Sequence, residues 1–327
     1  MIVLGIETSC DETSAALVRD GRKILSNTVA SSLEFHKKYG GIIPEIASRM
    51  QLETISGVVE SALKKAKIKL KDIDLIGVTS GPGLLGSLLV GISFAKSLSL
   101  GLGRPLLGVN HVYSHFYANF LTGEKIKLPF VALVVSGGHT SLFYIRDFDK
   151  IEVLGETRDD ACGEAFDKVA KILGLGYPGG PAIEKIAASG EFKKIRFNCS
   201  GTRDKLDFSF SGIKTAVLYY VRARRLSMGE KADISASFQE AVIDALVKKA
   251  ILACKMKKVN RLVVGGGVAA NRRLRGKLYA AAAENNLNCY FPAQSLCMDN
   301  AAMIAGLAHQ LFKKGYRSDL TLTADLN

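Results

Sequence analysis

The chain has 327 residues, 48% of them hydrophobic and 23% charged, a globular composition too long for one small core and suited to two lobes. The start, Met1 to Glu7, has no basic region and meets an acid early, and the longest apolar stretch, residues 84–109, is cut by Lys96, Arg104 and several glycines, so neither an export signal nor a membrane span is expected and the compartment is read as cytoplasmic. The formal charge of +13 suits a polyanionic partner such as nucleic acid or, more simply, a basic surface with no such partner.

In chain order, residues 2–6 and 15–18 read as apolar strands joined by the polar turn 8–14, with a third strand near 24–30. Residues 45–66 form a helix with Ile46, Met50, Ile55, Val58, Val59 and Leu63 on one face. A strand over 74–79 ends in Ser80-Gly81-Pro82-Gly83, a helix covers 85–98, and a strand over 105–109 leads into Asn110-His111-Val112-Tyr113-Ser114-His115. The plan then repeats. Residues 130–135 and 141–145 are strands around the turn Ser136-Gly137-Gly138-His139-Thr140, and a third strand fits 152–155. Helices follow over 163–173, 182–188, 212–225 and 234–255. A strand over 261–264 ends in Gly265-Gly266-Gly267, and a helix starts near Ala270. Strand, turn, strand, helices, strand, glycine turn and helix thus occur twice. This pattern predicts an α/β fold of two lobes, 1–108 and 109–327, of the actin, Hsp70 and sugar-kinase type with nucleotide between them, the final helix packing back on the first lobe. A single doubly wound sheet is disfavoured, because no G-x-G-x-x-G follows the first strand.

Several of these turns carry chemistry. On a helix, His111 and His115 lie one turn apart on one face and could share a metal ion, or serve as core or capping histidines. The protein has only five histidines, and this pair follows a strand end, where α/β sites form. Asp11 and Glu12 could do acid–base work, hold a cation or satisfy the turn. Ser136-Gly137-Gly138 could cradle a phosphate or close a hairpin. Gly265 to Asn271 places bare N–H groups at a helix start, a ready anion site. Tyr177 to Pro181 is a tight turn, and Ser211 reads as the cap of the helix after Asp207-Phe208-Ser209-Phe210. Lys and Arg cluster at 222–225, 248–249, 255–258 and 272–275, with no aromatic run of the single-strand-binding kind beside them. The six cysteines, at 10, 162, 199, 254, 289 and 297, show no C-x-x-C pair and read as reduced thiols.

Taken together, residues 5–14, 39–45, 80–83, His111 with His115, 135–140, 163–168, 177–181, 208–214 and 265–271 resemble the universal tRNA threonylcarbamoyladenosine transferase family over nearly the whole chain. The stretch 36–49 resembles its bacterial branch. The resemblance implies one divalent metal per subunit, iron with zinc as the alternative, on His111, His115 and Asp299. It implies an adenylate ligand against Val134, Val135, Ser136, Gly137, Gly138, Asp167, Gly180 and Asn271, and against Glu184, where the family pattern usually has Asp. Asp11 matches a required acid, and Glu12 is its neighbour in the same turn.

The reaction so implied is transfer of threonylcarbamoyl from L-threonylcarbamoyl-adenylate to N6 of adenosine 37 in tRNAs reading codons that begin with A, releasing AMP. The implied partners are the tRNA anticodon loop, a shorter inactive paralogue and a small P-loop ATPase. An actin-like ATPase or a metal-dependent hydrolase of the same fold is the competing reading. A metalloprotease would need H-E-x-x-H, and residue 112 is Val. A scaffold paralogue would be expected to lack the histidine pair.

Overall fold

The computed structural model describes residues 1–326. Two compact units emerge, one of Met1–Ile126 with Pro292–Asn327, the other Lys127–Phe291. The expected division at 108/109 falls inside the first unit. The residues just past it, including the histidine pair, pack on the last helix of the chain and stay with the unit that helix completes.

The first unit is built on β1 (Ile2–Glu7), β2 (Glu12–Arg19), β3 (Lys23–Ser31), β4 (Leu75–Gly81) and β5 (Leu106–Asn110), in the order β3-β2-β1-β4-β5. β1 runs antiparallel to β2 and parallel to β4. Its helices are α1 (Leu33–Lys37), α2 (Pro44–Ala66), α3 (Leu85–Leu102), α4 (His111–Tyr117) and, from the end of the chain, α10 (Ala301–Lys313). Alternation along β1 sorts these helices. Leu4 and Ile6 join a core with Ile55 and Val58 of α2 and Leu88 and Ile92 of α3. Gly5, between them, faces α10, where a Cβ would run into the Ala301 carbonyl and Ala305.

Pro44 opens α2, and Lys67 in the left-handed region at φ 55° ends it. The buried face starts one residue later than the apolar pattern suggests, at Ala47 and Gln51 rather than Ile46 and Met50. Gln51 is drawn inward because its amide donates to the Cys10 carbonyl at 2.9 Å and the Glu12 carbonyl at 3.0 Å. A helix core position is thereby used to hold the β1–β2 turn. α3 is long and apolar, with a mean hydropathy of 1.5, and lays Ser87, Leu88, Gly91, Ile92 and Ala95 against its own unit.

The second unit repeats the sheet with β6 (Phe130–Val135), β7 (Thr140–Asp147), β8 (Lys150–Glu156), β9 (Arg261–Gly265) and β10 (Asn288–Tyr290), ordered β10-β9-β6-β7-β8. β6 is antiparallel to β7 and parallel to β9, as β1 is to β2 and β4. β10 completes the match, although three residues give no readable periodicity. The helices are α5 (Cys162–Leu173), α6 (Gly179–Ala187), α7 (Ser211–Val221), α8 (Met228–Lys257) and α9 (Arg272–Glu284).

Among the helix ends that differ from the sequence pattern, three have a local cause. α7 stops at Val221, because Arg222 leaves helical backbone and Ala223 is left-handed at φ 58°. α8 starts at Met228, behind a capping box of Ser227 and Glu230. Ser211 is the first residue of α7 and not its cap. The Asp159 carboxylate does the capping from a distant loop, accepting from the N–H groups of Phe210 at 2.7 Å and Ser211 at 3.1 Å.

Candidate functional site

In the first unit the site grows from two element junctions. β5 runs out at Asn110, whose side-chain oxygen accepts from the Tyr113 N–H at 3.0 Å and so starts α4 at His111. That start places His111 and His115 one turn apart, with ring centroids 4.7 Å apart and planes at 76°. The segment before α10 brings Asp299. Asn300, not Asp299, caps that helix by accepting from Met303 N–H at 3.2 Å, which leaves the Asp299 carboxylate for the histidines. Its Oδ1 lies 3.6 Å from His111 Nε2 and 3.4 Å from His115 Nε2. One donor atom from each residue falls within 4.8 Å of the other two. Two imidazole nitrogens and a carboxylate oxygen suit iron or zinc and leave coordination positions open.

A layer beneath these three was not legible in the sequence. Glu7, at the end of β1, is buried with 1% exposure, and its Oε2 accepts from His111 Nδ1 at 3.0 Å. Ser9 N–H and the Thr79 hydroxyl donate to the same carboxylate, and Ser9 Oγ stands 3.1 Å from His111 Nδ1. Burial raises the Glu7 pKa, but the His111 charge and these hydrogen bonds outweigh it, so the group is held below its ordinary value. Burial lowers the His111 pKa, and the charges of Glu7 and Asp299 more than reverse that, to about 9. With Nδ1–H held by Glu7, Nε2 is the nitrogen offered to a cation. The one available signal was an acid ending an otherwise apolar strand.

Asp11 and Glu12 adjoin this set. Burial, then the charges of Asp299 and Asp11, pushes Glu12 up to about 10. Asp299 rises to about 6 through burial, against the pull of His111 and with the charges of Glu7 and Asp11 added. A metal-free cluster of acids this close repels itself, which is the electrostatic setting a divalent cation relieves.

The second unit gathers the other expected residues. Val134 and Val135 end β6, fully buried. In the turn, Ser136 N–H donates to His139 O at 2.8 Å and Ser136 Oγ accepts from His139 N–H at 3.1 Å. The carbonyls of Ser136 and Gly137 accept from Gly163 and Glu164 at the start of α5. Gly137 and Gly138 have open space where a side chain would be, and among the described residues their N–H groups donate to no backbone carbonyl. This is the arrangement a phosphate oxygen needs.

Asp167 Oδ1 accepts from Gly179 N–H at 2.6 Å, and burial raises its pKa despite that bond. Gly180 beside it is open. The triple glycine does not open a helix directly. Gly266 sits at φ 92° with Val135 O where a Cβ would be, and a single 3-10 turn, Gly267–Ala270, intervenes before α9. Asn271 caps α9 by accepting from Leu274 N–H at 3.0 Å, and its amide donates to Gln239 at 2.8 Å. Glu184 accepts from Arg272 N–H at 2.8 Å. The α9 start is thus capped by the protein's own side chains, while the amides of Gly137 and Gly138, and those of Gly266 and Gly267 ahead of the 3-10 turn, donate to no backbone carbonyl among the described residues. The candidate metal ligands lie wholly in the first unit, and the open glycine amides wholly in the second.

The family model described as tRNA N6-adenosine threonylcarbamoyltransferase matches residues 23–306. Curated proteins of that name are similar over nearly full length. The one from Thermosipho africanus is 54% identical over 99% of this chain and 98% of its own, and one from Clostridium kluyveri is 52% identical over 98% and 96%. Among solved structures, HypF of T. kodakarensis superposes with a TM-score of 0.64 at 17% identity, over 98% of this chain and 49% of that one. The 2-hydroxyglutaryl-CoA dehydratase component A of Acidaminococcus fermentans gives 0.56 at 17% identity, over 95% and 98%. At that identity the structures speak for the fold alone.

Proposed function

The chain belongs to the tRNA N6-adenosine threonylcarbamoyltransferase family, and on that premise we propose that it transfers threonylcarbamoyl from L-threonylcarbamoyl-adenylate to N6 of adenosine 37 in tRNAs reading codons that begin with A. The observation that carries this reading is the convergence of His111, His115 and Asp299 donor atoms within 4.8 Å beside Asp11 and Glu12.

His111, His115 and Asp299 would hold one iron ion, or zinc, which when bound supplies Lewis acidity toward the carbamoyl oxygen. Glu7 keeps Nδ1 of His111 protonated and its Nε2 turned toward Asp299. The N6 amine forms a bond to the carbamoyl carbon. The bond from that carbon to the adenylate oxygen breaks, and AMP leaves with the electron pair. Asp11 takes the proton released by N6, with Glu12 as the alternative where a bound cation would bring its raised pKa down. Gln51 and Ser32 fix that turn through the carbonyls of Cys10, Glu12 and Asp11, so the two acids sit on a held backbone. The amides of Gly137 and Gly138 bind the adenylate phosphate. Asp167, Gly180, Glu184 and Asn271 frame the rest of the nucleotide, against the strand end at Val134 and Val135.

The reading extends to partners and compartment. The enzyme would work in the cytoplasm, on an anticodon loop whose unpaired adenosine can be splayed out, with a shorter paralogue and a small P-loop ATPase. The test is nucleoside mass spectrometry of tRNA after incubation with L-threonylcarbamoyl-adenylate and those partners. Threonylcarbamoyladenosine at position 37 with matching AMP is expected from the wild type and not from His111→Ala. Free AMP without the modified nucleoside would contradict transfer and favour hydrolysis.

A further inference from the structure

Residues 191–225 carry nine Lys and Arg against three Asp and Glu, close to half of the chain's net positive charge in about a tenth of its length. No aromatic run accompanies the basic clusters in sequence, but the structure sets separate aromatic side chains beside one of them. α7 ends with Tyr219 and Tyr220, both exposed, Tyr219 at 66%. Phe192, exposed at 41%, joins them from a loop remote in sequence. Arg224 lies over the Tyr220 ring at 4.8 Å, and Arg273 over Phe192 at 5.2 Å.

One helix start holds both parts together. At the beginning of α8, Asp233 accepts from Glu191 N–H and pairs with Lys194, while Glu230 pairs with Arg224. Positions 230 and 233 are neighbours on a helix surface, so the 191–194 loop and the 222–227 turn are clamped side by side. Phe197 against Tyr220, with ring centroids 5.9 Å apart, closes the gap between them. The turn is fixed further by Ala223 in the left-handed region and by the Ser227 capping box. Exposed aromatics on a fixed scaffold, interleaved with cations, are what unpaired bases stack on. Arg222 and Arg225 are exposed and form no ion pair among the described residues. Arg273, by contrast, is held by Glu240 through two nitrogens. Within the 222–225 cluster, Arg222 and Arg225 are therefore the side chains placed to meet phosphates.

We propose that Phe192, Lys193, Tyr219, Tyr220, Arg222 and Arg225 form the docking strip for single-stranded RNA, their rings stacking unpaired bases and their cations meeting the phosphates. This rests on the tRNA reading above and adds which face takes the RNA. A protein partner is the other occupant such a surface could have. Of the nine cations in 191–225, Lys194, Lys214 and Arg224 pair with acids, and the other six form no ion pair among the described residues, which favours the polyanion.

The test uses the full chain with two fluorescent RNAs of equal charge, an anticodon stem-loop and a blunt duplex, titrated across a salt series. Tyr219→Ala/Tyr220→Ala should weaken stem-loop binding about tenfold and leave duplex binding unchanged, because only unpaired bases offer a face. Arg222→Glu/Arg225→Glu should weaken both and flatten the salt slope by roughly one to two units. The control Lys255→Glu/Lys258→Glu, in the shallow basic pocket with Arg261, should move neither by more than about twofold. Unchanged stem-loop affinity in both strip variants overturns the proposal, as does an equal loss in the control or no affinity in the wild type. Strip variants that bind RNA normally but lose a protein partner overturn it too, and mark a protein interface. Nucleoside mass spectrometry on the wild type separates the readings. If the modified nucleoside forms while the strip variants keep full affinity, only the strip is lost.

Discussion

The two sheets share one order and one set of strand directions, yet their first hairpin turns are chemical opposites. The β1–β2 turn presents Asp11 and Glu12 beside a buried Glu7. The β6–β7 turn presents Gly137 and Gly138, with open amides and no side chains. The same backbone position thus carries two carboxylates beside the candidate metal ligands in one unit and two open amides, suited to a phosphate, in the other. Topology sets where a site forms, and turn chemistry sets what it binds.

The most damaging way to break the comparison is to remove a glycine on which each unit's close packing depends. Gly5→Val would drive side-chain atoms into the Ala301 carbonyl where α10 crosses β1, at a cost of about 3 kcal/mol or more. Gly266→Ala would put a Cβ against Val135 O at φ 92°, for about 2 kcal/mol. Thermal unfolding should show both losses, and an unchanged melting temperature for either would refute that crossing.

Less drastic is Glu7→Gln, which keeps the shape but removes the carboxylate behind His111. Metal affinity, read by competition with a chelator, should fall about tenfold while AMP affinity holds. Equal metal affinity would reduce Glu7 to a filler of the strand end. Asn271→Ala makes the complementary cut. It removes the α9 cap and the bond to Gln239, costing about 1 kcal/mol of stability, and should weaken AMP without changing metal content. Full AMP affinity would place the nucleotide elsewhere in the second unit.

The gentlest probe is pH on chelator-treated protein, where Glu12 in the first unit and Asp159 with Asp160 in the second should respond with opposite sign. Burial raises the Asp159 and Asp160 pKa values, but hydrogen bonds from Ser209, Phe210 and Ser211, and from Lys168 and Lys214, hold both below the ordinary range. Their contribution is therefore present above the unfolded pKa of about 3.9 and lost as pH falls further. Hydrogen exchange at the Phe210 and Ser211 amides should rise first. Glu12 is shifted the other way, from 4.5 to about 10, chiefly by burial. It binds its proton more tightly folded than unfolded, so the first unit should lose stability as pH climbs through that window. Added divalent metal should abolish the loss. Parallel pH responses in the two units would contradict the contrast.

What the sequence disclosed follows the same physical line. Turns with their own signatures were readable, among them the 8–14 turn, Ser136-Gly137-Gly138 and the H-x-x-x-H behind Asn110. Both sheets were readable except for β10, too short to show a period. The unread part acts across the chain. Asp299 joins the histidines only through the fold, and resemblance alone pointed to it. Glu7, Gln51 and Asp159 hold loops distant in sequence, and no local pattern marks a side chain whose partner is elsewhere. Ser211 looked like a cap because Ser precedes many helices. The Asp159 carboxylate, with two backbone N–H groups to accept, took that place.

The division of labour between the units meets its most direct test in one variant, His115→Ala, with metal measured by elemental analysis and AMP affinity by calorimetry on the same preparation. The account predicts that most of the metal is lost, since His115 would supply one of three protein ligands, while AMP binds within about twofold of the wild type. Metal content equal to the wild type, or a parallel collapse of AMP binding in a folded protein, would contradict it.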